Sequence, residues 1–198
     1  MILRLAVLGD SIGFGQGAAR PEDTPAARLT RALEARDVAV TARVLAVPGA
    51  RSSGLRSQVD RALDWQPDVA VIVIGANDIS HRVPPAEAAG ELGSAVRRLR
   101  EAGAEVVVAP APDLSVVPQV PAAYRAVVKA GSGLLRTAQV TAVTAAGGRV
   151  ADADGATSTA FGADAGLFSG DSFHPSSAGY AVIADALLVE VLAAVAGR

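Results

Sequence analysis

The sequence predicts an α/β fold, a three-layer sandwich in which a central parallel sheet of about five strands, in flavodoxin-like order, lies between two layers of helices. Two observations carry that expectation. Short runs of β-branched and other apolar residues recur along the chain, and such runs suit strands buried on both faces. Between them lie segments whose apolar residues repeat at helical spacing. Strand and helix alternating in this way imply βαβ units, hence a parallel sheet with helices on both sides.

The first strand is expected over residues 3–8 and runs straight into Gly9 and Asp10. It lacks the long apolar region and small-residue cleavage site of a secretory signal, so a cytoplasmic location is expected. Thr24 followed by Pro25 supplies an N-cap and a first-turn residue for a helix carrying Leu29, Ala32 and Leu33 on one face. A second strand is expected over residues 38–47, and a helix with Leu55, Val59 and Leu63 follows it. The third strand, 69–74, leads to a helix with Leu92, Val96 and Leu99, then to a fourth strand at 106–109 and a weaker fifth at 149–152. Residues 110–121 and 154–171 read as long loops, the second with Phe161, Leu167 and Phe168 placed to line a cleft. The segment 180–195 is strongly apolar, but Asp185 and Glu190 interrupt it and it is short for a bilayer. A buried terminal helix with no membrane span is expected, in a monomer or a weak homodimer.

Composition narrows the function. At 198 residues the chain suits a single domain over 1–198, and a chain of this size buries roughly 70% of its unfolded surface. Hydrophobic residues make up 51% and charged ones 19%, far from the composition of disordered proteins. The net charge of −2, with its basic residues scattered, argues against binding nucleic acid or an anionic bilayer through phosphates. With no cysteine, disulfides, thiolate chemistry and Cys-based zinc sites are excluded. His81 and His174 alone leave little basis for a histidine-rich metal site.

In open parallel sheets, ligands sit beyond the carboxyl ends of the strands, and the candidate residues collect there. Gly9-Asp10-Ser11-Ile12-Gly13 follows the first strand and can present a serine hydroxyl on a tight turn. By itself Gly-Asp-Ser is ordinary turn chemistry. Pro48-Gly49-Ala50 follows the second strand and Gly75-Ala76-Asn77-Asp78 the third. A glycine amide and an asparagine side-chain amide there are suitable oxyanion donors. Near the end stands Asp171-Ser172-Phe173-His174-Pro175, where Pro175 is expected at the first position of the last helix and His174 at its cap. A turn of that length brings the carboxylate onto the imidazole, leaving Nε2 free to face a serine.

Gly9-Asp10-Ser11, Gly49, Gly75-Ala76-Asn77-Asp78 and Asp171-x-x-His174, in this order and spread over nearly the whole chain, resemble the four motif blocks of the SGNH, or GDSL-type, hydrolases. The stretch Pro175-Ser176-Ser177-Ala178-Gly179-Tyr180 resembles the helix entry of that family. The resemblance implies a serine ester hydrolase, a carboxylesterase or lipase-like acyl hydrolase. It assigns Ser11 as nucleophile, His174 as base and Asp171 as its orienting acid, with an oxyanion hole made by the Ser11 and Gly49 amides and the Asn77 side chain. No cofactor and no metal are implied, and the partner is a small-molecule ester. Around the second block this chain carries Val44 and Pro48 where many members have Asn and Ser, while the glycine is kept.

Other readings fit less well. Gly9-x-Ser11-x-Gly13 also matches the nucleophile elbow of α/β-hydrolases, but that fold places several strands before its serine. Gly13-Phe14-Gly15-Gln16-Gly17-Ala18 threads onto a loose dinucleotide fingerprint, yet no acidic residue ends the second strand to hold a ribose. A catalytically idle flavodoxin-like module binding a small ligand would show a missing triad member. Within the enzyme class, thioesterase and carbohydrate deacetylase activities share the same core residues. Asp113 is read as pocket lining or turn structure, Asp78 as the brace of its own turn, and His81 and Arg51 as exposed residues without a role.

Overall fold

The computed structural model describes residues 2–152 and 155–197. Five strands, β1 (Leu3–Gly9), β2 (Val40–Val44), β3 (Val69–Val73), β4 (Glu105–Ala109) and β5 (Arg149–Val150), pair in parallel in the order β2-β1-β3-β4-β5. That is the flavodoxin-like order, which reverses direction between β1 and β3. The register sets Val7 beside Val44 on one side and Val71 on the other, and Gly9 beside Val73.

The helices are α1 (Ser11–Phe14), α2 (Pro25–Glu34), α3 (Leu55–Trp65), α4 (Ala76–Ser80), α5 (Pro85–Glu101), α6 (Ala122–Ala145), α7 (Ala156–Ala163) and α8 (Ser177–Ala196). Because successive strand residues point to opposite faces, the sheet feeds two separate cores. Ala6, Leu8, Ala70 and Ile72 pack with Leu55 and Val59 of α3, Leu92 and Val96 of α5 and Val143 of α6. Leu5, Val7, Val71 and Val107 pack on the other face with Leu29 and Leu33 of α2 and Leu187 and Val191 of α8. The expected helical stripes are therefore buried, apart from Ala32 and Leu63, which are half-buried.

Several expectations change. The second strand is shorter than residues 38–47 and is not buried on both faces: it lies at the sheet edge beside β1 alone, with Val44 and Val47 exposed. An edge strand has an open flank whatever its composition; from β2, Arg43 lies over the Trp65 ring of α3 at 5.0 Å. Thr24 precedes α2 but makes no side-chain cap; its hydroxyl donates to the Pro21 carbonyl. The second long loop holds α7 and a single 3-10 turn, Ala165–Leu167; Asp154, where that loop was expected to start, lies outside the described residues. The last helix begins at Ser177, with Ser176 as its cap and Pro175 outside it, so His174 sits in the loop before the helix rather than at its cap.

At 20 residues α8 is longer than expected, and by length and composition it could cross a membrane. One face of it is taken by the sheet and α2, through Ala184, Leu187, Val191 and Ala194.

Candidate active site

The carboxyl end of β1 is shaped by glycine. Gly9 has φ +125°, and a Cβ there would sit 1.8 Å from the Val73 carbonyl oxygen, so no other residue lets β1 and β3 run together at this point. Asp10 then caps α1, its Oδ1 accepting from the Ile12 amide at 2.9 Å. Ser11, the first residue of α1, is buried to 5% exposure.

The histidine comes from the far end of the chain. Its loop is clamped to the preceding segment by the Ser169 amide donating to the His174 carbonyl at 2.7 Å and the Ser176 amide to the Leu167 carbonyl at 2.8 Å. Ser172 adopts a left-handed φ of +57°, which folds the chain back so that Asp171 meets the imidazole three residues on. Asp171 Oδ2 is 2.6 Å from His174 Nδ1, and His174 Nε2 is 3.1 Å from Ser11 Oγ. The other oxygen, Oδ1, accepts from the Ser169 hydroxyl at 2.8 Å and from the Phe173 and His174 amides at 2.9 Å. Burial works against charge on this carboxyl, but the His174 ring, the two amides and the Ser169 hydroxyl outweigh it and hold Asp171 well below the usual carboxylate range. A fixed carboxylate on Nδ1 orients the ring so that Nε2 can accept a proton from the serine hydroxyl.

Gly17 explains how the two halves meet. With φ +95°, a Cβ on it would lie 2.6 Å from the Pro175 carbonyl oxygen and 2.9 Å from His174 Cβ. The loop after α1 thus passes directly against the histidine loop. Tyr180 fastens the same loop to α8 by donating to the Gln16 carbonyl at 2.7 Å.

The expected oxyanion donors lie at the same rim. The Ala50 amide donates to the Val47 carbonyl at 3.0 Å, closing a turn with Pro48 second and Gly49, at φ +80°, third. That is the pattern of a type II turn, which wants glycine there and tolerates Pro48. The turn is hung on β1 by the Val47 amide donating to the Gly9 carbonyl at 3.0 Å. Asn77, on the short α4, donates from Nδ2 to the Ala50 carbonyl at 3.0 Å. A primary amide has two N–H groups, so one can fix the side chain to the Gly49 turn while the second remains for a substrate oxygen.

Of two buried polar residues behind the site, Gln58 escaped the sequence reading and Asp78 has a different partner from the one expected. Gln58 on α3 accepts from the Gly9 amide at 2.7 Å and donates to the Gly9 carbonyl at 2.9 Å. Its signal was a polar residue on the buried stripe Leu55, Val59, Ala62. Asp78 was expected to brace its own turn; it instead accepts from the Ser52 amide at 3.0 and 3.1 Å and from the Ser52 hydroxyl at 2.9 Å. It therefore braces the loop that carries Gly49. Asp10 and Asp78 are both buried, and burial, with the nearby Asp78 charge adding to it, pushes the Asp10 carboxyl up to about 7. Asp10 Oδ2 has no hydrogen-bond partner.

The remaining candidates take no part in the hydrogen-bonded chain of Asp171, His174 and Ser11. Asp113 does both things expected of it: it lines the same cavity as Ser11 and His174, and it caps the Leu114–Val116 turn by accepting from the Ser115 amide at 2.9 Å. His81 is exposed, with Nδ1 2.8 Å from the Asn77 carbonyl oxygen. Arg51 is exposed. Phe161 and Phe168 do line a cavity, of about 90 Å3, that opens at Ser11 and His174; Leu167 is instead buried beneath the loop. Among the described residues no three His, Cys, Asp or Glu side chains group to hold a metal.

The fold is a three-layer α/β/α sandwich in this strand order, with Ser, His and Asp in one hydrogen-bonded chain beyond its strand ends. The sequence places it more narrowly: residues 7–182 match the model of the GDSL-like lipase/acylhydrolase family, and the chain belongs to that family. It is 38% identical over 191 residues to the GDSL-like esterase Rv1075c of Mycobacterium tuberculosis, covering 94% of this chain but only 61% of that protein. Among solved structures, the psychrotrophic esterase EstA from a Pseudoalteromonas species has a TM-score of 0.74 at 18% identity, over 95% of this chain and 96% of that one. An SGNH hydrolase from Slackia heliotrinireducens has a TM-score of 0.70 at 21% identity, over 96% and 98%. At such identities these two structures speak for the fold.

Proposed function

We propose that the protein hydrolyses small-molecule carboxylic esters through an acyl-enzyme on Ser11. Ser11 Oγ attacks the acyl carbonyl while His174 Nε2 takes its proton and Asp171 holds the ring through Nδ1. The carbonyl oxygen becomes an oxyanion received by the Ser11 and Gly49 amides and the second N–H of Asn77. The C–O bond to the alcohol breaks, and His174 returns the proton to the departing oxygen. Water then attacks the Ser11 ester by the same route, releasing the acid and restoring the serine hydroxyl. The scheme needs no cofactor.

The observation that carries this reading is the unbroken hydrogen-bond chain from Asp171 through His174 to Ser11, at 2.6 and 3.1 Å, made by segments 163 residues apart. Membership of the GDSL-like family supports it, as does the description of the mycobacterial relative as an esterase. The test is hydrolysis of p-nitrophenyl acetate by the intact protein and by Ser11→Ala and His174→Ala. Turnover abolished in both variants while the fold persists by circular dichroism supports the scheme. Undiminished turnover in Ser11→Ala overturns it.

A further inference from the structure

We infer that the cavity beneath Ser11 holds the acyl arm of the ester and makes the protein selective for acyl chains of medium length; this rests on the reading of Ser11 as nucleophile. The cavity begins at Ser11, Ile12 and His174 and runs inward between the ends of β3 and β4, at Val73 and Ala109, and the α8 residues Ile183 and Leu187. Phe161 and Phe168, packed edge to face at 5.0 Å, form part of the wall contributed by the loop before the histidine. An apolar channel of this kind removes a hydrocarbon chain from water and offers it no competing hydrogen bonds, so affinity grows with each methylene it accepts.

The far wall sets the limit. Arg136 donates to the Asp152 carbonyl and stands 3.8 Å from its carboxylate. That carboxylate also takes the Thr157 amide at 3.0 Å and the Thr157 hydroxyl. These residues line the cavity and are already engaged with one another. A chain reaching them must strip water or a partner from polar groups and give nothing back. At roughly 10–15 Å3 for one water-sized body, a cavity of about 90 Å3 has room for a medium chain and not for a long one.

The acyl arm, rather than the alcohol, suits this shape for a mechanistic reason. The alcohol must leave and water must take its place beside His174 Nε2, so that side needs an open path. The acyl arm stays bonded to Ser11 Oγ through both halves of the reaction and can occupy the apolar cavity throughout.

The test is kcat/KM for p-nitrophenyl acetate, butanoate, hexanoate, octanoate and hexadecanoate. Two lining alanines far from the reacting atoms serve as controls: Ala109→Leu intrudes from the strand end and Ala186→Leu from α8. The expected result is a rise of roughly threefold to fivefold per added methylene to a maximum at hexanoate or octanoate, then a fall by hexadecanoate. In each variant the ratio of octanoate to acetate kcat/KM drops by about tenfold or more, and either variant that folds decides the point. A profile flat or falling from acetate onward, or an unchanged ratio in the variants, overturns the inference. So does a length dependence found only in a series of acetate esters of longer alcohols. Acetate cleaved without chain preference removes the acyl channel alone; no ester cleaved and no phosphonate adduct on Ser11 removes the underlying reading as well.

Discussion

The side-chain amide of Gln58 closes a two-point hydrogen-bonded pair with Gly9, taking its N–H at 2.7 Å and giving to its carbonyl at 2.9 Å. Both residues are buried, and Gly9 lies two residues before Ser11. At the end of β1 the pair satisfies the Gly9 amide, and it shares the Gly9 carbonyl with the Val47 amide. Gln58→Ala leaves the Gly9 amide unpaired in the interior at about 1–3 kcal/mol, while the Gly9 carbonyl keeps the Val47 amide. Urea unfolding should show a loss of about 1–3 kcal/mol, together with a lower kcat as the Ser11 turn loosens. A loss under about 1 kcal/mol would mean that the pair contributes little.

Asn77 has two tasks, holding the Ala50 carbonyl and offering its second N–H to the oxyanion. Asn77→Ala should lower kcat by about 10²- to 10³-fold with little change in KM, because the second task exists only as charge develops. Steady-state kinetics on a short-chain ester checks this. A variant with wild-type kcat removes Asn77 from the oxyanion hole.

Gly17 makes the contact between the serine loop and the histidine loop. Gly17→Ala adds a Cβ that meets the Pro175 carbonyl and His174 Cβ, at a φ of +95° that alanine disfavours. The substitution is expected to lower stability by about 1–3 kcal/mol and to cut kcat by more than tenfold, since a displacement of about 1 Å in a reacting group costs on the order of 10²-fold. Thermal melts and kinetics separate the two effects. Unaltered kcat would show that the loops can part without moving the imidazole.

Asp10 ties stability to pH. Its carboxyl is raised from 3.8 to about 7 in the folded protein, so the folded state holds this proton more tightly than the unfolded chain. The associated stability is fully present below about pH 4 and is lost as pH rises through about 7, on the order of 4 kcal/mol in all. Asp10→Asn should cancel this dependence, so that its stability relative to wild type improves steadily between pH 4 and pH 8. Urea midpoints across that range measure it; parallel curves for the two proteins would contradict the raised value.

Much of the site was legible in the sequence because its parts are local. Asp171 and His174 share one turn, and Ser11, Gly49 and Asn77 each follow a strand that its composition marks, so a parallel sheet brings them to one rim without further information. What was not legible depends on contacts between distant segments. Nothing near Asp78 points to Ser52, and nothing near Gln58 points to Gly9 except a polar residue on an apolar stripe. The edge position of β2 follows from strand order rather than from its own residues. The helix α7 has the sequence ATSTAFGA, whose threonines, serine and glycine carry weak helix propensity. The start of α8 was displaced because Pro175 reads as a first-turn residue, whereas Ser176 makes the cap bond to the Gly179 amide at 3.2 Å.

The central claim is that Ser11 is the nucleophile and His174 activates it. The most direct measurement is intact-mass and peptide analysis after a fluorophosphonate probe is added to the folded protein. The account predicts one adduct per chain, located on Ser11, absent from Ser11→Ala and formed at least 10²-fold more slowly in His174→Ala. An intact protein that takes up no probe, or an adduct that persists in Ser11→Ala, would contradict it.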